Sequence, residues 1–329
     1  MIDAIDAIDV IAERSPLGGL ERWLGDADID EVIVNGAGDV WIERSGTLLR
    51  VATMSSGAVS TAIEHILRPI GRRLDRSNPT VDARLADGSR VCAVAEPVAV
   101  DGPCLTIRRF AMRALPLSAF ASPDVVSLLH DIVEARCNLL ISGATSSGKT
   151  TLLNALAALV PTTERIITLE DVAELRLPHP HVVRLETRPP SAEGMGEVTL
   201  RQLLRTALRM RPDRLVLGEV RGAEAVQLVQ AMNTGHDGSM STVHANSAVD
   251  AVARLCSLVL QEVPGWPLEA IHDQVRRSID VVIHVGRAGG NQRQVIEICE
   301  SDPSDNGVHL HRLAERATVA APLKRRRQR

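Results

Sequence analysis

From Asn138 to Leu153 the chain runs through an apolar segment (Leu139-Leu140-Ile141), a G-x-x-x-x-G-K-T loop (Gly143 to Thr150) and a stretch of helical spacing. Few backbones satisfy all three in that order. Leu139 to Ile141 predict a strand buried on both faces, and Leu152, Leu153, Leu156 and Leu159 recur at helical spacing until Pro161 stops them. Gly143 and Gly148 let the loop turn successive N–H groups inward, across Thr145, Ser146 and Ser147, while the helix start adds its positive dipole end. Such a loop cradles a nucleotide phosphate. Lys149 is placed to reach the β and γ phosphates, Thr150 to offer a hydroxyl to Mg²⁺, and Thr151 to carry the cradle into ordinary helix.

The 329 residues suffice for two domains, each with its own core. A net charge of −4 gives no global positive field for nucleic acid or anionic lipid, so the basic residues act locally. Aromatics are nearly absent: no Tyr, and only Trp23, Trp41, Trp266, Phe110 and Phe120. Binding single strands by stacked bases needs more platforms than that, and no specific nucleic acid is expected. The five cysteines form no C-x-x-C pair, which argues against a zinc site or a disulfide frame. No segment approaches the roughly 20 apolar residues that span a bilayer, and the acidic start is no secretion signal. A cytosolic protein, or one peripheral at the cytosolic face, is expected.

Residues 1–26 alternate apolar and acidic positions and predict an N-terminal helical segment. A small α/β domain is expected over 27–111, with strands at 31–35, 40–44, 47–51, 81–85, 90–95 and 104–110 and a helix over 57–74 that Pro69 kinks or shortens. Residues 112–123 carry Pro116 and Pro123 without periodicity and read as a linker or hinge. From 124 to 315 strands alternate with helices: strands at 165–171, 214–219, 280–285 and 294–299, helices at 199–210, 222–234 and 248–260. This pattern predicts a mostly parallel sheet that binds ligands at its carboxyl edge. The basic residues 316–329 read as a disordered tail, or as a contact for acidic lipid heads or nucleic acid.

Hydrolysis of ATP needs a magnesium ion, a carboxylate that aims the attacking water, and positive charge on the oxygens. Glu219, at the end of one strand, is the candidate for the magnesium shell. Glu170 and Asp171, at the end of another, are candidates to orient or deprotonate water, with Asp171 a further metal candidate. The two roles are exchangeable at this level. Thr234 to Asn246 reads as a short polar segment between helices, with His236 and His244 eight residues apart, which is not metal spacing. Beside a phosphate loop, His244, and after it His236, is a candidate γ-phosphate sensor; taken alone, each is a structural hydrogen-bonding residue. Arg84 and Arg90 flank an Asp-Gly turn, and Arg108 and Arg109 end a strand. They read as surface arginines, or as arginine fingers acting by linker folding or across a subunit boundary. Arg201, Arg205 and Arg209 share one helix face, solvated or in a subunit contact.

Taken together these motifs resemble the type II/type IV secretion ATPase superfamily, specifically its TadA/CpaF branch associated with Flp or tight-adherence pili. The matching segments are 81–90, 105–109, the phosphate loop, Leu169-Glu170-Asp171 (similar to the aspartate box), 210–224 (similar to the Walker B stretch) and 234–246 (similar to the histidine box). The resemblance implies a RecA-like ATPase domain preceded by a smaller α/β domain, and a homohexameric ring that binds ATP and Mg²⁺. It also implies Arg90 and Arg108 as the phosphate-contacting arginines, with Arg84 and Arg109 behind them, and inner-membrane platform proteins as partners in pilus assembly or secretion. A motor acting on nucleic acid in DNA transfer is the alternative. Ala144 and Ser146 stand where the family often has glycine, a departure tolerable if their dihedrals are negative.

Overall fold

The computed structural model describes residues 9–10, 17–109 and 115–324, apart from 37, 45, 86, 191–194, 289–291 and 303–308. The chain divides into two compact units, Met1–Arg113 and Ala114–Arg329.

In the first unit, β1 (Asp9–Val10), β2 (Ile29–Val34), β3 (Asp39–Arg44), β4 (Thr47–Thr53), β5 (Thr80–Arg84), β6 (Arg90–Val94) and β7 (Cys104–Arg108) form one sheet in the order β1-β4-β3-β2-β7-β6-β5. Alternate residues of β2 and β3, Val32, Val34, Val40 and Ile42, are buried. They share a core with Val59, Ile63, Ile66 and Leu67 of α2, which spans Ser56–Leu67. Ser55 caps this helix by accepting the Ala58 N–H at 3.2 Å. Pro69, without an N–H, turns its end into a 3₁₀ turn that Gly71 closes at φ 67°. The helix expected over 57–74 is therefore shorter. The N-terminal helix expected over 1–26 lies mostly outside the described residues, whose part of it holds β1 and one turn, α1 (Glu21–Leu24).

The second unit contains α3 (Pro123–Glu134), β8 (Leu139–Gly143), α4 (Lys149–Ala157), β9 (Ile166–Glu170), β10 (Val182–Glu186), α5 (Leu200–Ala207), β11 (Arg214–Leu217), α6 (Glu224–Asn233) and β12 (Met240–His244). It continues with α7 (Ala248–Glu262), α8 (Leu268–Ser278), β13 (Val281–Ala288), β14 (Gln292–Ser301), β15 (Leu310–Glu315) and β16 (Thr318–Val319). The sheet order is β10-β9-β11-β12-β8-β13-β14-β15-β16. From β10 to β13 every pairing is parallel, and β14 to β16 add antiparallel strands. Every residue of β8, β9 and β11 is buried, because α3 and α4 cover one face and α5 to α8 the other. This is the expected RecA-like α/β architecture.

Asn138 ties the amino edge of this sheet together. Its buried amide accepts the N–H groups of Gly238 (2.9 Å) and Ser239 (3.1 Å) and donates to the carbonyls of Met232 (3.1 Å) and Ser278 (2.8 Å). One side chain thus joins the ends of α6 and α8 to the starts of β8 and β12.

Several expectations change here. The polar segment between two helices contains a central strand, β12, and the buried hydroxyls there find partners: Ser239, just before the strand, donates to His236 O (2.6 Å) and Thr242, within it, to Gly218 O (2.7 Å). Satisfied hydroxyls cost little to bury, so polarity did not exclude a core position. Strand β10 and helix α8 have no counterpart in the sequence reading. Of the expected linker, residues 112–114 lie outside the described residues. The rest carries buried Leu117 and Phe120 in the second core, and Phe120 O accepts the Val295 N–H at 2.9 Å. Those two side chains are anchored rather than part of a free hinge. The tail expected to be disordered carries β16, and the Lys324 N–H donates to Glu300 at 3.1 Å; residues 325–329 lie outside the described residues.

Candidate functional site

Parallel strands put their carboxyl ends on one edge, where Gly143, Glu170 and His244 end β8, β9 and β12 and Glu219 follows β11. The register pairs His244 with Gly143 and Leu217 with Leu169. Between β8 and α4 the loop closes tightly. A Cβ on Gly143 would meet the Val285 carbonyl oxygen, and one on Gly148, at φ 102°, would sit 2.8 Å from Arg293 Cδ and 3.3 Å from Phe120 Cε1. Only glycine fits either place. Ser147 is buried, and its hydroxyl has no hydrogen-bond partner, a vacancy suited to a polar ligand atom. Ala144 meets the condition of a negative φ, but Ser146 lies at φ 58°. The condition fails at position 146: a left-handed serine costs about 1–2 kcal/mol that glycine would not.

Lys149 is buried at the start of α4. Its Nζ lies 3.0 Å from Gly143 O, 2.8 Å from Ala144 O and 3.3 Å from His244 Nδ1. An ammonium only donates, so Nδ1 accepts and the imidazole is neutral with its proton on Nε2. Burial pushes the His244 pKa down, against the upward pull of Glu219. Nε2 stands 3.1 Å from Glu219 Oε1. The two are within ion-pair distance but not aligned as a hydrogen bond, and that buried oxygen has no hydrogen-bond partner. Glu219 Oε2 takes Arg221 Nη2 at 2.8 Å. Lys149, His244, Glu219 and Arg221 thus form one line across the sheet edge.

Glu170 is buried beside this line. Its Oε1 accepts the N–H groups of Glu174 and Leu175, both at 2.8 Å, while Oε2 is buried without a partner. Burial raises its pKa from 4.5 to about 7, opposed by those two N–H bonds and by Arg184. Gly218 leaves room for it, since a Cβ there would sit 3.0 Å from Glu170 Cγ. Asp171 follows as an exposed residue whose backbone oxygen accepts the Thr187 hydroxyl at 3.0 Å. Thr150 and Thr151 lie half-buried in the first turn of α4. The glycine backbone, buried lysine and orphaned hydroxyl suit a bound phosphate group. Among the described residues no group of three or more His, Cys, Asp and Glu converges; the magnesium ligands in reach are single residues that would share the ion with phosphate oxygens.

A profile of the family described as type II/IV secretion system protein matches residues 13–321. The chain belongs to this family. It is 40% identical over 299 residues to a putative conjugal transfer protein of Mycobacterium tuberculosis, covering 87% of this chain and 84% of that one. It is 36% identical over 322 residues to the type IV secretion system protein PtlH of Bordetella pertussis, covering 87% and 94%. Among solved structures, the ATPase DotB of Legionella pneumophila superposes with a TM-score of 0.62 at 20% identity, covering 90% of this chain and 85% of that one. This last likeness speaks to the fold.

The remaining candidates of this secretion-system protein divide. Arg84 faces Arg90 across β5 and β6, and Arg90 faces Arg108 across β6 and β7, so the three form one row on one face of the first sheet. Glu31 continues the row opposite Arg108, its pKa raised by burial. Arg109 departs from expectation: its guanidinium donates to the carbonyls of Asp26 and Ile29, the latter at 3.3 Å, as a strut inside its own unit. His236 also departs. It precedes β12 at the sheet's amino edge, its Nδ1 3.2 Å from Ala231 O, while His244 ends that strand at the phosphate loop. Two residues at the site drew no role from the sequence. Arg221 could have been found from its spacing to Glu219; Arg287, which bonds Ser146 from 141 positions away, left no signal. Among the described residues no helix is long and apolar enough to cross a membrane.

Proposed function

We propose that this protein is the ATP-hydrolysing subunit of a homohexameric motor of the TadA/CpaF branch. It works at the cytoplasmic face of the inner membrane and drives platform proteins in pilus assembly or protein secretion. The observation that carries the reading is the buried Glu170 carboxyl, with an unpartnered Oε2, on the same sheet edge as Lys149, Glu219 and His244. Glu170 accepts the proton of the attacking water at Oε2. A pKa of about 7 matches a general base to neutral pH. Lys149 exchanges the Gly143 and Ala144 carbonyls for phosphate oxygens, and the N–H groups from Thr145 to Thr151 line the cradle. His244, neutral, presents its Nε2 proton and registers whether the γ phosphate is present. Mg²⁺, bound with the triphosphate, would draw on Thr150, Glu219 and Asp171 and neutralise charge on the β and γ oxygens. Arg90 and Arg108, with Arg84 beside them, supply positive charge to the phosphates of a ring neighbour.

ATPase activity per chain, measured over a range of protein concentrations against Lys149→Ala, tests this reading. A steep rise with concentration supports a ring with shared sites. Turnover no higher than that of Lys149→Ala at every concentration refutes it. The relative named for conjugal transfer favours a second reading, a motor in DNA transfer. Stimulation of turnover by single-stranded DNA would support that reading.

A further inference from the structure

The hairpin of β13 and β14 backs the phosphate loop at three points. The Val285 carbonyl closes against Gly143, and the stem of Arg293 lies against Gly148. Between them, Arg287 donates from Nε (3.3 Å) and Nη2 (3.0 Å) to the carbonyl oxygen of Ser146. Arg287 and Arg293 face each other directly across the hairpin, an arrangement that repels unless each guanidinium has its own task. The residue held is the one with the strained backbone, Ser146 at φ 58°. In a trans peptide the carbonyl of Ser146 and the N–H of Ser147 point opposite ways. With the carbonyl held outward by Arg287, the Ser147 N–H turns into the loop, where it makes a long 3.3 Å bond to Ala144 O.

We propose that Arg287 is a positioning residue for the nucleotide: its forked bond holds Ser146 in the left-handed conformation and so keeps the phosphate loop in its binding shape. A glycine at 146 adopts positive φ without strain and does not need the brace. Residue 146 of this chain is a serine at positive φ, and an arginine from a distant hairpin holds it there. The proposal rests on the nucleotide-binding reading above and adds the residue that sets affinity.

The test is equilibrium binding of Mg-ATP, with steady-state kinetics, for wild type, Arg287→Ala, Arg287→Lys, Ser146→Gly and the Arg287→Ala/Ser146→Gly double variant. Arg287→Ala is expected to weaken binding about tenfold, about 1.4 kcal/mol, with the loss in KM rather than in kcat. Lysine, with one point of donation, restores only part of the affinity. In the Ser146→Gly background the same Arg287→Ala change is expected to cost less than about threefold, because the strain it exposes is gone. Amide exchange at residues 144–148 of the nucleotide-free protein should quicken most in Arg287→Ala and less in Arg287→Lys. Equal binding by Arg287→Ala and wild type would overturn the proposal. So would an equal loss in both backgrounds, which would make Arg287 a contributor of charge rather than of shape. Lys149→Ala separates the two layers: if it binds as wild type does, the nucleotide reading itself falls and this proposal with it.

Discussion

Replacing Glu170 by Gln should stabilise the fold while abolishing its chemistry, and the size of the effect follows from the site. The carboxyl is buried, with one oxygen on two N–H groups and the other unpartnered. Its pKa rises from 4.5 to about 7 as a result. A group whose native pKa lies above its unfolded value binds its proton more tightly when folded, so native stability falls as pH rises from about 4.5 and levels off above about 7. At about 1.4 kcal/mol per tenfold change in proton affinity, ionised Glu170 costs the wild type about 3 kcal/mol at pH 8. Gln keeps an oxygen on the two N–H groups and stays neutral, so it behaves as the protonated carboxyl at every pH. Urea unfolding, followed by amide exchange in β8, β9 and β11, should give Glu170→Gln a lead of about 1 kcal/mol or less at pH 5. At pH 8 the variant should lead by about 3 kcal/mol. ATP turnover should move the other way, falling by about 10²–10⁴ in the variant, and wild-type turnover should decline as pH drops below about 7. A stability difference that is flat between pH 5 and 8 would refute the argument, since desolvation of the charge would then not govern Glu170.

Asn138→Ala removes a side chain that satisfies four buried backbone groups, those of Met232, Ser278, Gly238 and Ser239. At about 1 kcal/mol or more each, the second unit should lose at least about 4 kcal/mol in urea unfolding; a loss under about 2 would show that the groups find new partners. The two histidines should separate cleanly in an ATPase assay. His244→Ala, which removes the contact between Lys149 and Glu219, is expected to lower turnover at least about tenfold, whereas His236→Ala, at the opposite sheet edge, leaves it unchanged. Equal losses in both would contradict their placement.

The parts of the site readable from sequence are those that local rules decide. Strand, glycine loop and helix from Asn138 to Leu153 needed only apolar spacing and glycine backbone freedom. Once β9 and β11 read as strands of a parallel sheet, the carboxyl-edge rule put Glu170 and Glu219 beside the loop. Sequence reasoning failed where burial contradicted residue type. β12 reads as polar, yet its Thr242 hydroxyl is satisfied by Gly218 O, a partner that does not exist until the sheet forms. His236 and His244 look equivalent in the chain, and only strand direction sends them to opposite edges.

By itself, then, the sequence determined that this chain has a nucleotide-type phosphate loop on a parallel α/β sheet, because backbone preference and side-chain period act over a few residues. The tertiary structure decided the raised pKa of Glu170, the lowered pKa of His244, the strain at Ser146 and the arginine that holds it. Each of these depends on desolvation or on a hydrogen bond from a residue remote in sequence, and such terms take their value only when distant segments pack together.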